Sequence, residues 1–535
     1  MQQPYVRPGI DDRPDLDKAL SPEDKAAVAR LAVRSRRRPP EASATQAETQ
    51  AASLASAGSP ATAAASVDAA VPDMTSSFLD MRDPMVAADG ERPGAGQVLR
   101  LKCSFALSAV LSTAAWVALT MVALPAAVAR AARDFSQLVD DGFTGAALER
   151  IGDIAVPLAV IIAIGALVSV VANLFVSALS DRTRVVLGRR TPWIVAGGVL
   201  SALFVLILGV ANTFGSIGVM WALLNASYAM LVAPVNAAFS ERVPDKFRVS
   251  LVRWRGIGQM LGQAVGAWIG TLCFAFSTHF TYETFVAAAI LFVACGVLTV
   301  TVWPKEPSSE EQPLERLRWS AVFDQLRPPR NAPRFWAMFW ARLTMMAAVA
   351  LTGVFLWYIV RYFAASNGVG VELAYGLFLR PWFVIAAMAL ATLIGSAFAA
   401  RVAGPIDERC SDMRRPVWAA CALYAVALLV GFQCHANAIG LMVFALLAGF
   451  AFGLFDALGQ ELVMGALPDP RRSGHDLGVF NLSNALGLAA GALLGAAALT
   501  VGGPVATTVF GAGALFLVAI VCVAVSAAMV ARGGR

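Results

Sequence analysis

Three ionisable residues stand inside long apolar runs of this chain: Arg342, Asp456 and, nearer the end of its run, Glu461. A charge placed in hydrocarbon costs roughly 2.5–3.5 kcal/mol on insertion scales, so it faces a partner or a water-filled cavity. Arg342 lies about six residues from the middle of its run and Asp456 about five from the middle of its own, on the same side. At 1.5 Å per helical residue their depths match. The expectation is an Arg342–Asp456 ion pair. A carboxylate freed from its arginine in such a place would bind a proton more readily, which is the chemistry of a proton relay. A static structural pair is the competing expectation.

A second group of polar side chains sits near the middle of other runs: Trp116, Asn225, Tyr228, Gln259, Gln263, Asn481 and Asn484. Amides and an aromatic face suit a polyhydroxylated solute. A lone polar residue in an apolar helix also serves as interhelical glue. No nucleophile–base set is present to suggest an enzyme. The three histidines are far apart and the seven cysteines form no CxxC, so neither a metal site, a cofactor nor a disulfide framework is expected.

The elements that must hold these residues are membrane spans. Of 535 residues, 58% are hydrophobic and only 15% charged, with a mean hydropathy of +0.65. The excess is gathered into twelve runs, near 104–128, 154–179, 192–214, 216–240, 256–278, 284–303, 335–360, 381–400, 416–434, 438–465, 478–501 and 504–531. Each approaches the ~20 residues a helix needs to cross a bilayer, and is far longer than a barrel strand. Residues 1–97 are rich in Ala, Ser, Pro and charge, and are expected to form a disordered tail. No apolar core follows the N-terminal residues, so no signal peptide is expected. The domains expected are the tail, a six-helix half over 98–303, a central loop over 304–334 and a second half over 335–535.

Loops on the side of Asp181 hold 21 Lys and Arg, whereas the opposite loops hold five: Arg130, Arg133, Arg150, Arg361 and Arg380. The positive-inside rule places the first set, and both termini, in the cytoplasm. The net charge of +6 is accounted for by these loops without invoking nucleic acid.

The halves repeat. Asp181, Arg189 and Arg190 return as Asp407, Arg414 and Arg415. "GQAVGAWIG", with Gly262, Gly266 and Gly270, returns as "GLAAGALLG", with Gly487, Gly491 and Gly495, at an offset of 225. An even number of helices between copies makes the repeat parallel, as in a two-half transporter.

Six plus six helices with "SDRTRVVLGRRTPWI" after span 2 and "DERCSDMRRPVW" after span 8 resemble the major facilitator superfamily. Within it, that loop, "VPDKFR…RG" at Val243–Gly256 and "LFDALGQELVMGALPDP…DLGVFN" resemble the glycoside-pentoside-hexuronide cation symporters. Three departures stand out: Ser177 occupies the motif's glycine position, Thr191 stands where many members carry a base, and spans 1, 2 and 4 lack the carboxylates of melibiose-type members. The resemblance implies an all-α membrane protein of two pseudo-symmetric six-helix bundles. It implies secondary transport of a sugar or glycoside in the lipid bilayer of the cytoplasmic membrane; the buried carboxylate makes protons the expected coupling ion, and the monomer is the expected working unit. The resemblance also implies a cytoplasmic latch in which Asp181 caps the start of span 11, with Arg182, Arg189 and Arg190 sharing the role and Asp407, Arg414 and Arg415 serving the other half. A proton-coupled exporter is the alternative, although span 5 lacks the proline of the exporters' Gly-Pro break. A non-transporting sensor is a further one.

Overall fold

The structure, a computed structural model, describes residues 87, 93–134, 137, 150–276, 282–310, 329, 332–365, 370–374, 376–410, 412–466, 473–501 and 511–532. The side chains of some helical residues in these ranges, Asp407 and Glu461 among them, are outside the description. The expected tail, apart from residues 87 and 93–97, and most of the central loop also lie outside the described residues.

Twelve long helices are described: α1 (Ala95–Ala131), α2 (Gly152–Ser180), α3 (Thr191–Val210), α4 (Phe214–Arg242), α5 (Asp245–Phe276), α6 (Tyr282–Val302), α7 (Pro333–Ala364), α8 (Pro381–Arg409), α9 (Arg414–Cys434), α10 (Ala438–Ala466), α11 (Ser473–Thr500) and α12 (Gly513–Arg532). Eleven are long and apolar enough to cross a membrane; α5 is long enough but less apolar. Its amides and glycines account for that, because they face protein rather than lipid. Helix starts follow local chemistry. Thr213 caps α4, its hydroxyl accepting from the Ser216 N–H at 3.2 Å. Prolines open α3, α7 and α8, where a missing N–H costs nothing.

Helix boundaries differ from the sequence expectation at several points: α1 begins at Ala95 rather than 104, inside the stretch expected to be tail. α5 begins at Asp245 rather than 256, so Arg248, Arg253 and Arg255 are helical. α8 runs on to Arg409, so Asp407 stands on a helix and not in a loop. The described part of α12 begins at Gly513, and residues 502–510 of the expected twelfth span lie outside the described residues. A short hairpin, β1 (Val371–Ala374) with β2 (Leu377–Leu379), joins α7 to α8, where sequence suggested only a loop. Gly376 makes its turn at φ +80°. Asn437 ties the hairpin down, its amide donating to the Leu373 carbonyl at 3.1 Å while its oxygen accepts the Ile439 N–H that starts α10.

The two halves share one packing pattern. In the first, α1 packs on α5 and α6, α3 on α4 and α6, and α2 on α4. In the second, α7 packs on α11 and α12, α9 on α10 and α12, and α8 on α10. The halves meet where α2 lies against α11 and α5 against α8. The glycine ladders let neighbouring backbones come close. A Cβ at Gly262 would stand 2.6 Å from the Val110 carbonyl oxygen, and one at Gly487 would stand 2.7 Å from that of Leu343. The repeat is therefore structural, with α5 and α11 offset by 225 and α1 and α7 by 233. Both first helices break at the same place. α1 has a π-helical turn at Leu119–Ala123, just before Pro125, and α7 is interrupted at Val354–Phe355, the counterparts of Met121 and Val122.

Candidate functional site

The C-terminal half holds the buried ion pair. Arg342 comes from α7, whose other buried residues are apolar apart from Thr352, and Asp456 comes from the middle of α10. Arg342 is 7% exposed and Asp456 is fully enclosed. Arg342 Nη1 donates to Asp456 Oδ1, and its Nε donates to Asn484 Oδ1 of α11 at 2.8 Å. Asn484 Nδ2 reaches Asn481 Oδ1 at 3.5 Å. Three of the sequence's candidates thus form one array around the guanidinium, with Asn481 at its edge. A buried charge is tolerable only when paired and hydrogen-bonded, and a neutral amide on the third side of the arginine keeps the net charge at zero. The Glu461 side chain lies outside the described residues.

The N-terminal half holds an aromatic cluster instead. Trp116 of α1 stacks on Tyr228 of α4, with ring centroids 4.6 Å apart, and lies 5.3 Å from Trp221. Asn225 donates to the Trp221 carbonyl, one turn back on its own helix. Gln259 on α5 is buried, and its Oε1 has no hydrogen-bond partner among the described residues. Gln263, one turn on, is half-buried. These candidates lie in the first half, whereas Asn481 and Asn484 belong to the array of the second.

Sequence reasoning missed Arg255. It was counted among loop cations, yet the early start of α5 buries it to 5% exposure. Its Nη2 donates to Asn236 Oδ1 of α4, and its guanidinium lies 5.7 Å from the Phe239 ring. Among the described residues no carboxylate pairs with it. The missing signal was the position of the helix start.

The Asp181 loop is a network rather than a simple charged turn. Asp181 is the last cap of α2, and its Oδ1 pairs with Arg190 Nη2 at 2.5 Å. Arg190, 2% exposed, also reaches Glu241 of α4 at 2.5 Å and the Ser180 hydroxyl at 2.8 Å. Arg189 pairs with the same Glu241 at 2.8 Å, while Arg182 turns back onto the Ala178 carbonyl of its own helix. Burial works against the charged form of Arg190, but Glu241 and Asp181 more than offset it and hold its pKa above the ordinary value. The segment after α6 straps the loop. Glu306 accepts from the backbone N–H groups of Arg190 and Thr191 at 3.0 Å each and from the Thr191 hydroxyl at 2.9 Å, capping α3. Ser309 bonds to Thr183 and Val185. Neither Glu241 nor Glu306 was predicted, because acidic residues at a helix end look solvated in sequence. The second copy is plainer: Arg414 stands 3.9 Å from Asp412, Arg415 is exposed, and the Asp407 side chain lies outside the described residues.

Two hydrogen bonds between the halves lie on the face away from the Asp181 loop. The Tyr358 hydroxyl donates to the Pro125 carbonyl at 3.1 Å, and Trp268 Nε1 to that of Ala386 at 3.2 Å. Gly152 and Thr500 also touch there, and Ala163 and Ala166 meet Ala489 nearer the middle.

Two six-helix halves related by a parallel repeat, packed together through α2 on α11 and α5 on α8, define a two-half secondary transporter of the major facilitator type. Residues 150–503 match the family described as MFS/sugar transport protein, and the chain belongs to it. Among solved structures it is similar to the nucleoside transporter NupG, at 14% identity over 81% of this chain and 98% of that one, with a TM-score of 0.56. A point mutant of NupG matches at 13% identity over 81% of this chain and 100% of that one, with a TM-score of 0.57. A bacterial homolog of the human lysosomal transporter Spinster, in an inward-facing and unoccupied conformation, matches at 13% identity over 83% of this chain and 98% of that one, with a TM-score of 0.53. At these identities the likeness is one of fold. No curated protein matches the sequence.

Proposed function

We propose that this transporter moves a small polar solute, a sugar or glycoside, across the cytoplasmic membrane by alternating access, in symport with protons. The observation that carries the reading is the Arg342–Asp456–Asn484 array. A carboxylate enclosed in a transporter half, balanced by one arginine, changes protonation when that balance is disturbed. Proton binding at Asp456 and its release are the coupling events, and Arg342 is the cation that alternately holds and yields the carboxylate.

The solute site in this reading lies between the halves at the level of Trp116, Tyr228, Asn225, Gln259, Gln263 and Asn481. Gln259 Oε1 offers an acceptor to a hydroxyl. The arginine-rich face is cytoplasmic by the positive-inside rule, and both termini lie there. Contacts between the halves on the opposite face fit a form open to the cytoplasm. The Asp181–Arg190–Glu241 network is the latch of the first half, and Asp407, Arg414 and Arg415 belong to that of the second. The monomer is the working unit.

The test is external pH in a weakly buffered suspension of energy-depleted cells expressing the chain, with mono- and disaccharides added in turn. Alkalinisation by one sugar, lost in Asp456→Asn, establishes symport. Silence to every sugar with expression verified removes the sugar reading.

A further inference from the structure

Asp456 has two carboxylate oxygens and the array uses one. Oδ1 accepts from Arg342, while Oδ2 is enclosed and has no hydrogen-bond partner among the described residues. A buried carboxylate oxygen left without a donor is costly, and water is the usual remedy where space allows. The space is adjacent. A crevice of about 20 Å³, room for about one water, is lined by Met338 and Arg342 of α7, Val417 of α9, and Phe455, Gly459 and Val463 of α10, among others; Asp456 itself lies just behind this lining. Arg342 is its one charged lining residue among those described. The polar groups placed around Asp456 are Arg342 from α7 and Asn484 from α11.

Comparison of the halves shows where the crevice comes from. The buried faces of α4 and α10 superpose at an offset of 224, those of α3 and α9 at 223, and those of α6 and α12 at 231. In the first half Phe105, Ile194, Val235, Phe239 and Trp303 fill the corresponding space as a closed core. Their counterparts are Met338, Val417, Gly459 and Val463, and at position 534 the sequence has glycine. The change along this stretch of α10 is not uniform: among the lining residues Leu231 becomes Phe455 and Ala238 becomes Leu462. The side chains at these core positions are thus cut back in the second half, beside Val232 to Asp456, where a buried carboxylate appears; at the same offset Ala237 becomes Glu461. A Cβ added at Gly459 would meet nothing within 4 Å.

From this arrangement we infer that the crevice is a water-filled proton entry to Asp456, running inside the C-terminal half and separate from the solute path between the halves. From Val463 to Asp456 is seven residues, or about 10 Å along α10. Hydronium in the crevice gives its proton to Asp456 Oδ2, leaving water and a neutral carboxylic acid. Arg342 then keeps Asn484 as its partner without a counter-charge. The inference rests on the proton-coupled reading above.

The test begins without any solute. In a variant whose native cysteines are replaced, Gly459→Cys and Val235→Cys place thiols at equivalent positions of the two halves. A small charged methanethiosulfonate reagent should modify the first at least about tenfold faster, because the thiolate must meet water to react. Equal rates overturn the entry route. Gly459→Val, which installs the first half's residue, should slow sugar-evoked proton uptake while leaving sugar counterflow intact; unchanged proton uptake also overturns it. Proton uptake that survives Asp456→Asn overturns the coupling reading itself, whatever the labelling rates.

Discussion

Arg342 on α7 and Asp456 on α10 are 114 residues apart in sequence and form an enclosed ion pair, held on its third side by Asn484 of α11. The pair joins three helices of one half, so its balance of charge bears on both folding and transport.

Removing one partner should therefore hurt more than removing both. Asp456→Asn and Arg342→Gln each leave a buried charge or its partner uncompensated, at a cost of about 3–5 kcal/mol. Arg342→Gln combined with Asp456→Asn should recover much of the melting temperature in detergent. Each single variant should lose accumulation but keep part of its exchange. Full accumulation in both would end the coupling role.

Arg255 predicts the opposite behaviour. Its described partners are neutral, so Arg255→Met removes a buried charge without stranding a carboxylate. Thermal stability should stay level or rise, against a clear fall for Arg342→Met. A fall of equal size for Arg255→Met would mean that the cation is compensated after all.

The Glu306 strap should be measurable on its own. Glu306→Ala leaves the first N–H groups of α3 uncapped, a loss of about 1–2 kcal/mol for a cap of this kind. Limited proteolysis between residues 304 and 334 should quicken accordingly, and Glu306→Gln should be milder because an amide oxygen still accepts.

Tyr358→Phe tests the contact between the halves. Deleting the bond to Pro125 removes about 0.5–1.5 kcal/mol from the state described. Cysteine labelling from the face opposite the Asp181 loop should rise by a matching several-fold factor; no change would show that the bond does not bias the equilibrium.

Much of this was legible before any coordinates. Arg342 and Asp456 announce themselves because each is a charge in an apolar run, and their equal depth follows from helical rise. The glycine ladders are legible because the offset of 225 is shared by separate features. Arg255 was not, since charges near a span end read as loop. Glu241 and Glu306 were not, since what they bond is decided by how three chain segments meet. The Trp116–Tyr228 stack could be anticipated by depth but not by geometry. The crevice beside Asp456 has no sequence signature until the two halves are laid on one another and their side-chain volumes compared.

The strap has a mechanical meaning as well. Glu306 and Ser309 bind the start of the central segment to the first half, and Trp336 Nε1 donates to the Pro329 carbonyl beside the start of the second, so each half keeps its own end of the connection. The two halves pack through α2 on α11, α5 on α8 and the Tyr358–Pro125 bond, none of which uses the central segment, and a chain severed there should assemble from its two pieces.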